Sequence, residues 1–87
     1  MHFVYILFNI ETKKFYIGRT NNINKRLKEH RAGVNKSTKF KCYAWRLVCA
    51  EIYKSEKDAA IREKKLKAHG SGLVELKKRI KYSILIN

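Results

Sequence analysis

Phe15-Tyr16-Ile17-Gly18-Arg19-Thr20-Asn21-Asn22-Ile23-Asn24-Lys25-Arg26-Leu27-Lys28-Glu29-His30 is the stretch that decides the fold. It opens as a short apolar run, breaks at a glycine, passes through polar residues suited to capping, and continues as an amphipathic basic helix. Aromatic and β-branched residues favour a strand over residues 15–18, which Gly18 is expected to end. Thr20, Asn21 or Asn22 can cap the helix by accepting a bond from its free N–H groups. Ile23 and Leu27 give that helix its buried stripe. Arg26 and His30, one turn apart, flank the stripe instead of opposing it, whereas Lys25 and Lys28 are ordinary solvated charges.

Working upstream, residues 3–8 (Phe-Val-Tyr-Ile-Leu-Phe) read as a strand, and the polar segment 9–14 reads as the turn of a hairpin. Tyr5 and Tyr16 can then share one sheet face, where packing across the hairpin explains either of them taken alone. Downstream, Gly33 is expected to stop the first helix, and a polar loop follows. Lys36, Lys39 and Lys41 alternate there with Phe40 and Tyr43, a pattern that suits phosphate contact with stacking and equally suits a solvated loop. Residues 45–53 read as a third strand with Val48, Ala50 and Ile52 on one face and Leu47 and Cys49 on the other, which suggests a central position.

Ser55 is expected to cap a second helix, with Asp58 as the acid of a capping box and Ala68 near its end. Ala59, Ala60, Leu66 and Lys67 define one side of it, and Glu63 falls among them on the face that should meet the sheet. An acid there is costly unless it is paired, with Arg26 or Lys67 for instance, or holds a cation. His69 to Gly72 break the helix, and residues 73–79 resume a helical pattern; the sequence does not decide the form of 82–86. The expected fold is α+β: a small three-stranded mixed or antiparallel sheet flanked by about three helices, in the order β-β-α-β-α-α, as one domain over 1–87.

Composition bounds the partner. Among 87 residues, 21 Lys and Arg against 7 Asp and Glu give a net charge of +14, and 11% aromatic content argues against a disordered basic tail. A polyanion is implied, with nucleic acid first, because no basic helix presents a large apolar face to a membrane. Cys42 and Cys49 with three scattered histidines make no structural zinc spacing. They are expected to be reduced, and Cys49 to be a small core residue. No export signal is apparent, so the chain is expected to be cytoplasmic.

The joint order of these features resembles the GIY-YIG endonuclease superfamily, across residues 3–67. Phe3-Val4-Tyr5 stands at the first signature, with Phe and Val in place of Gly and Ile, and Tyr16-Ile17-Gly18 matches the second letter for letter. The resemblance implies Tyr5, Tyr16, Arg19, Arg26, His30 and Glu63 as catalytic residues, with Glu63 binding Mg²⁺ or Mn²⁺. It implies Tyr16, or less readily Tyr5, as general base, acidified from about 10 by Arg19 and Arg26. Arg26 would hold the phosphate and His30 would relay the proton or orient the tyrosine. Lys36, Lys39, Lys41, Arg46 and Lys67 are further candidates for nucleic-acid contact. The implied activity is metal-dependent hydrolysis of DNA, branched or damaged DNA included, by a small standalone monomer or weak dimer, with specificity low or supplied by a protein partner. The alternative is a non-cleaving or partner-dependent DNA- or RNA-binding module of the same fold.

Overall fold

The computed structural model describes residues 1–68 and 70–86. Strands β1 (His2–Asn9), β2 (Phe15–Thr20) and β3 (Trp45–Tyr53) form one antiparallel sheet in the order β2-β1-β3. The helices are α1 (Ile23–Arg31), α2 (Glu56–Lys67), α3 (Ser71–Arg79) and the short α4 (Lys81–Leu85). The expected element order holds. The segment left open becomes α4, and the polar loop contains two 3-10 turns, Lys36–Thr38 and Cys42–Ala44.

β1 is the central strand because both of its faces are apolar. Val4 and Ile6 pack with Ile17, Ala59, Leu66, Leu73 and Leu76 under α2 and α3. Tyr5 and Leu7 pack with Trp45, Tyr16, Leu27 and Cys42 on the α1 face. The sheet is thus covered on both sides, with the tyrosines on the α1 side.

β3 departs from expectation in two ways. It is an edge strand, paired with β1 alone. A bulge also shifts its register: Ile6 faces Cys49 but Leu7 faces Leu47, leaving Val48 as the extra residue. Val48 and Cys49 therefore both pack against the α2-side core, and beyond them Tyr53 turns inward while Ile52 is exposed. The assignment of Val48, Ala50 and Ile52 to one face fails for this reason.

Gly18 does not end β2, which continues to Thr20. Of the three candidate caps, Asn22 is the one used: its Oδ1 accepts from Lys25 N at 3.1 Å. Gly33, at φ +76°, follows the C-cap of α1 as expected. Ser55 occupies the N-cap position of α2, but its side chain makes no capping bond, so no capping box forms.

Candidate active site

In the β1–β2 register Tyr5 lies opposite Gly18, and Leu7 opposite Tyr16. A Cβ built on Gly18 would run into Oη and Cζ of Tyr5. The glycine is therefore the gap across which the Tyr5 phenol lies. From there the phenol reaches His30 on α1, with Oη to Nε2 at 2.8 Å.

His30 is fully buried. Its Nδ1 lies 2.7 Å from Thr38 Oγ1, and the Thr38 hydroxyl donates to the Asn35 carbonyl at 3.4 Å. One neutral tautomer satisfies all three contacts together: Nδ1–H donates to Thr38, whose hydroxyl turns toward the Asn35 carbonyl, and Nε2 accepts from Tyr5. The protonation states agree with that direction. Burial, and then repulsion from Arg26, lower the His30 pKa to about 4, so it is neutral at pH 7. Burial raises the Tyr5 phenol to about 12 despite the counteracting charge of Arg26. The expected acidification is not met at Tyr5.

Tyr16 is less enclosed. Its ring packs edge-on against His30 with centroids 4.8 Å apart, lies 6.2 Å from Tyr5 and 6.4 Å from Trp45. Asn35 Nδ2 approaches its hydroxyl at 3.5 Å. His30 is thus hydrogen-bonded to Tyr5 and merely stacked on Tyr16. Arg26, from the next turn of α1, pairs with Glu29 at 3.1 Å. Burial opposes its charge, but the Glu29 bond and the nearness of the two phenols outweigh this and raise its pKa. Tyr5, Tyr16, Arg26 and His30 therefore form one cluster.

Glu63 sits elsewhere. Successive residues of β2 point to opposite faces, so Arg19 leaves the sheet on the α2 side. There its guanidinium bridges Glu56 at 3.3 Å and Glu63 at 3.4 Å. The Glu63 side chain is 19% exposed, and its second oxygen pairs with Lys67 at 3.1 Å. The paired state foreseen for this acid is present, with Arg19 in place of Arg26. Gly18 and Arg19 are the seam between the two halves. The charge of Glu63 is felt across it, as the last of the influences raising the Tyr5 pKa.

Among the described residues no group of three or more His, Cys, Asp or Glu could enclose a metal ion. A divalent cation fits the donor set in one way. Mg²⁺ keeps most of its waters and needs only one or two carboxylates, so Glu63 suffices once Arg19 and Lys67 release its oxygens.

Lys36, Lys39 and Lys41 are exposed on the loop between α1 and β3. Lys67 lines an open groove of about 430 Å³ shared with Lys13, Lys14 and Lys77. Arg46 is tied down instead: its Nη1 donates to the Tyr43 and Trp45 carbonyls at 3.0 and 3.1 Å.

Residues 1–72 match the sequence model of the GIY-YIG catalytic domain. The chain belongs to the GIY-YIG family. No curated protein and no solved structure matches it. The family is one of nucleases, and the second GIY-YIG signature, Tyr16-Ile17-Gly18, is the segment that runs into the seam.

Three residues around the GIY-YIG cluster escaped the sequence. Thr38 and Asn35 belong to a stretch that looks like a plain polar loop; the Asn-Lys-Ser-Thr order is itself a turn signal, and Asn35 Oδ1 accepts from Ser37 N at 2.9 Å. Asn9, fully buried, is the third. Its Oδ1 accepts from the N–H groups of Glu11 and Thr12, and its Nδ2 donates to the Lys41 carbonyl at 3.1 Å, joining the hairpin turn to the loop. No helix among the described residues is long and apolar enough to cross a membrane.

Proposed function

We propose that the chain is a metal-dependent endonuclease that hydrolyses DNA phosphodiester bonds through one nuclease domain, in the cytoplasm, where its two free cysteines stay reduced. The observation that carries this is the gathering of Tyr5, Tyr16 and His30 into one cluster, with Arg26 one turn along α1 from His30, in a +14 chain of the GIY-YIG family.

Phosphodiester hydrolysis needs an activated water, stabilisation of negative charge, and help for the departing oxygen. Tyr16 is the group to accept the proton of the attacking water, since Tyr5 is enclosed and its proton is engaged with His30. Arg26 holds a non-bridging phosphate oxygen with its planar fork. His30 acts through Tyr5: as a neutral acceptor it keeps that phenol protonated and fixed in place. Glu63 holds Mg²⁺ or Mn²⁺, which supplies Lewis-acid stabilisation of the phosphate and the leaving oxygen when bound. Arg19 and Lys67 exchange the Glu63 carboxylate for substrate phosphates. Lys36, Lys39 and Lys41 contact the DNA backbone.

The test is incubation of supercoiled plasmid with Mg²⁺, comparing wild type with Arg26→Ala and Glu63→Ala, and adding EDTA. Wild type is expected to nick; both variants and the chelated sample are expected not to. Cutting that survives in both variants would refute the mechanism. One observation favours the second reading, a binding module that needs a partner to cut: both Glu63 oxygens are already held by cations. Salt-sensitive binding without cleavage by wild type would select it.

A further inference from the structure

The loop between α1 and β3 is inside out. It buries Thr38 and leaves Phe40, the largest apolar side chain of the segment, 73% exposed. Folding drives apolar surface out of water, so a phenylalanine held outward beside a buried threonine has its place set by the backbone around it.

That backbone is fixed on both sides of Phe40. Before it, Thr38 is held through its hydroxyl by His30 at 2.7 Å and through its carbonyl by Trp45 Nε1 at 2.9 Å. After it, the Lys41 carbonyl accepts from Asn9 Nδ2 at 3.1 Å and from Ala44 N at 3.0 Å. Lys41 itself adopts φ +50°, a left-handed conformation that a non-glycine residue keeps only when its surroundings impose it. Tyr43, the loop's other exposed aromatic residue, is tethered through its hydroxyl to Glu11 at 3.1 Å. Phe40 carries no such tether.

The surroundings suit a polyanion. No Asp or Glu occurs between Glu29 and Glu51, while Lys36, Lys39 and Lys41 lie within that interval. Lys41 Nζ stands 5.7 Å from the Phe40 ring. The same loop touches the cluster twice, through Asn35 to Tyr16 and Thr38 to His30. An aromatic ring flanked by cations binds a nucleic acid by stacking on the face of a base. In a duplex every base face is already covered by its neighbours. We infer that Phe40 is a stacking platform for an unpaired base beside the scissile phosphate, and that the substrate class is forked or otherwise locally unpaired DNA. This rests on the nuclease reading above and narrows it.

The experiment uses the full chain in EDTA, which separates binding from cleavage. The probes are a forked DNA with 2-aminopurine at the first unpaired position and a fully paired duplex of the same sequence. Wild type is expected to bind the fork more tightly and to change the 2-aminopurine emission. Phe40→Ala is expected to weaken fork binding roughly 10-fold, to abolish the emission change and to leave duplex affinity within about two-fold. Phe40→Trp is expected to retain the preference, and an unchanged thermal transition of both variants shows that the fold is intact. Equal wild-type affinity for fork and duplex, or equal losses on both in Phe40→Ala, would overturn the stacking while leaving the nuclease reading standing. Absence of any salt-sensitive DNA binding would overturn both.

Discussion

Gly18→Ala tests the geometry of the site through stability alone. Gly18 does not occupy the left-handed region, so alanine suits its backbone. Replacing glycine in such a place ordinarily stabilises by about 0.4–1 kcal/mol, because the unfolded chain loses freedom. The Tyr5 phenol reverses that sign. The new methyl would collide with Oη and Cζ of Tyr5, and the Cε1 atom would stand at 2.9 Å, so the ring has to leave its place. Overpacking of this kind costs about 1–3 kcal/mol. Displacing the phenol also strands the buried acceptor His30 Nε2, worth another roughly 1–3 kcal/mol. The net expectation is a loss of about 1–5 kcal/mol, and for a chain of this length each kcal/mol lowers the midpoint by roughly 4–8 °C. Thermal and urea unfolding followed by far-UV circular dichroism measure it. In a Tyr5→Leu background, which lacks the distal ring atoms, the same Gly18→Ala change is expected to be neutral or slightly stabilising. If the two backgrounds show the same cost, or wild type loses less than about 0.5 kcal/mol, the packing argument is wrong.

His30 gives a pH signature. Its folded pKa of about 4 lies below the ordinary 6.5, so between those values the unfolded chain binds the extra proton. Stability from this residue is full above pH 6.5 and falls as pH drops toward 4; urea midpoints measured across that window should flatten in His30→Gln. Thr38→Val removes the hydroxyl that accepts from His30 Nδ1 and should cost about 1–2 kcal/mol with a drop in plasmid nicking, both restored by Thr38→Ser. Glu51 binds Arg62 through both oxygens, at 2.8 and 3.1 Å, and accepts from Tyr53 at 2.8 Å. Arg62→Ala should destabilise by about 1–2 kcal/mol in chemical denaturation without changing nuclease activity. The Arg62 bond is the main reason the Glu51 pKa is lowered, against the cost of burial. That part of the stability is present above about pH 4.3 and disappears as pH falls through the lowered value, so the wild-type advantage over Arg62→Ala should shrink in acid.

The hairpin, α1, β3 and α2 were legible because each carries its own local signal: β-branched runs, a capping asparagine, and apolar residues at helical spacing. What the sequence hides is long-range. Whether β3 is central or at an edge depends on pairing with β1, and apolar residues on both faces of β3 mimic a buried strand. The role of Gly18 depends on what lies opposite it in another strand; from one strand alone it looks like a terminator. Tyr5, Tyr16, Arg26 and His30 were legible as a group because strand parity and a helical turn fix their directions. Of the two partners of Glu63, Lys67 was legible one helical turn along, and Arg19 was not, since its side chain crosses from β2 to α2, a span no local periodicity describes. Thr38 and Asn35 were hidden because in polar loops hydrogen-bonding residues are the rule, and only the tertiary position of His30 makes two of them matter.

The bulge at Val48 makes β3 a matter of odd and even. Deleting Val48 itself would straighten the strand and leave Cys49 to Tyr53 facing as they do, whereas deleting one residue between Cys49 and Glu51 would exchange inside for outside up to Tyr53, turning Glu51 away from Arg62 and driving Ile52 toward α2. A change of two residues would restore the alternation. An odd step within that run has to be absorbed by a bulge such as this one.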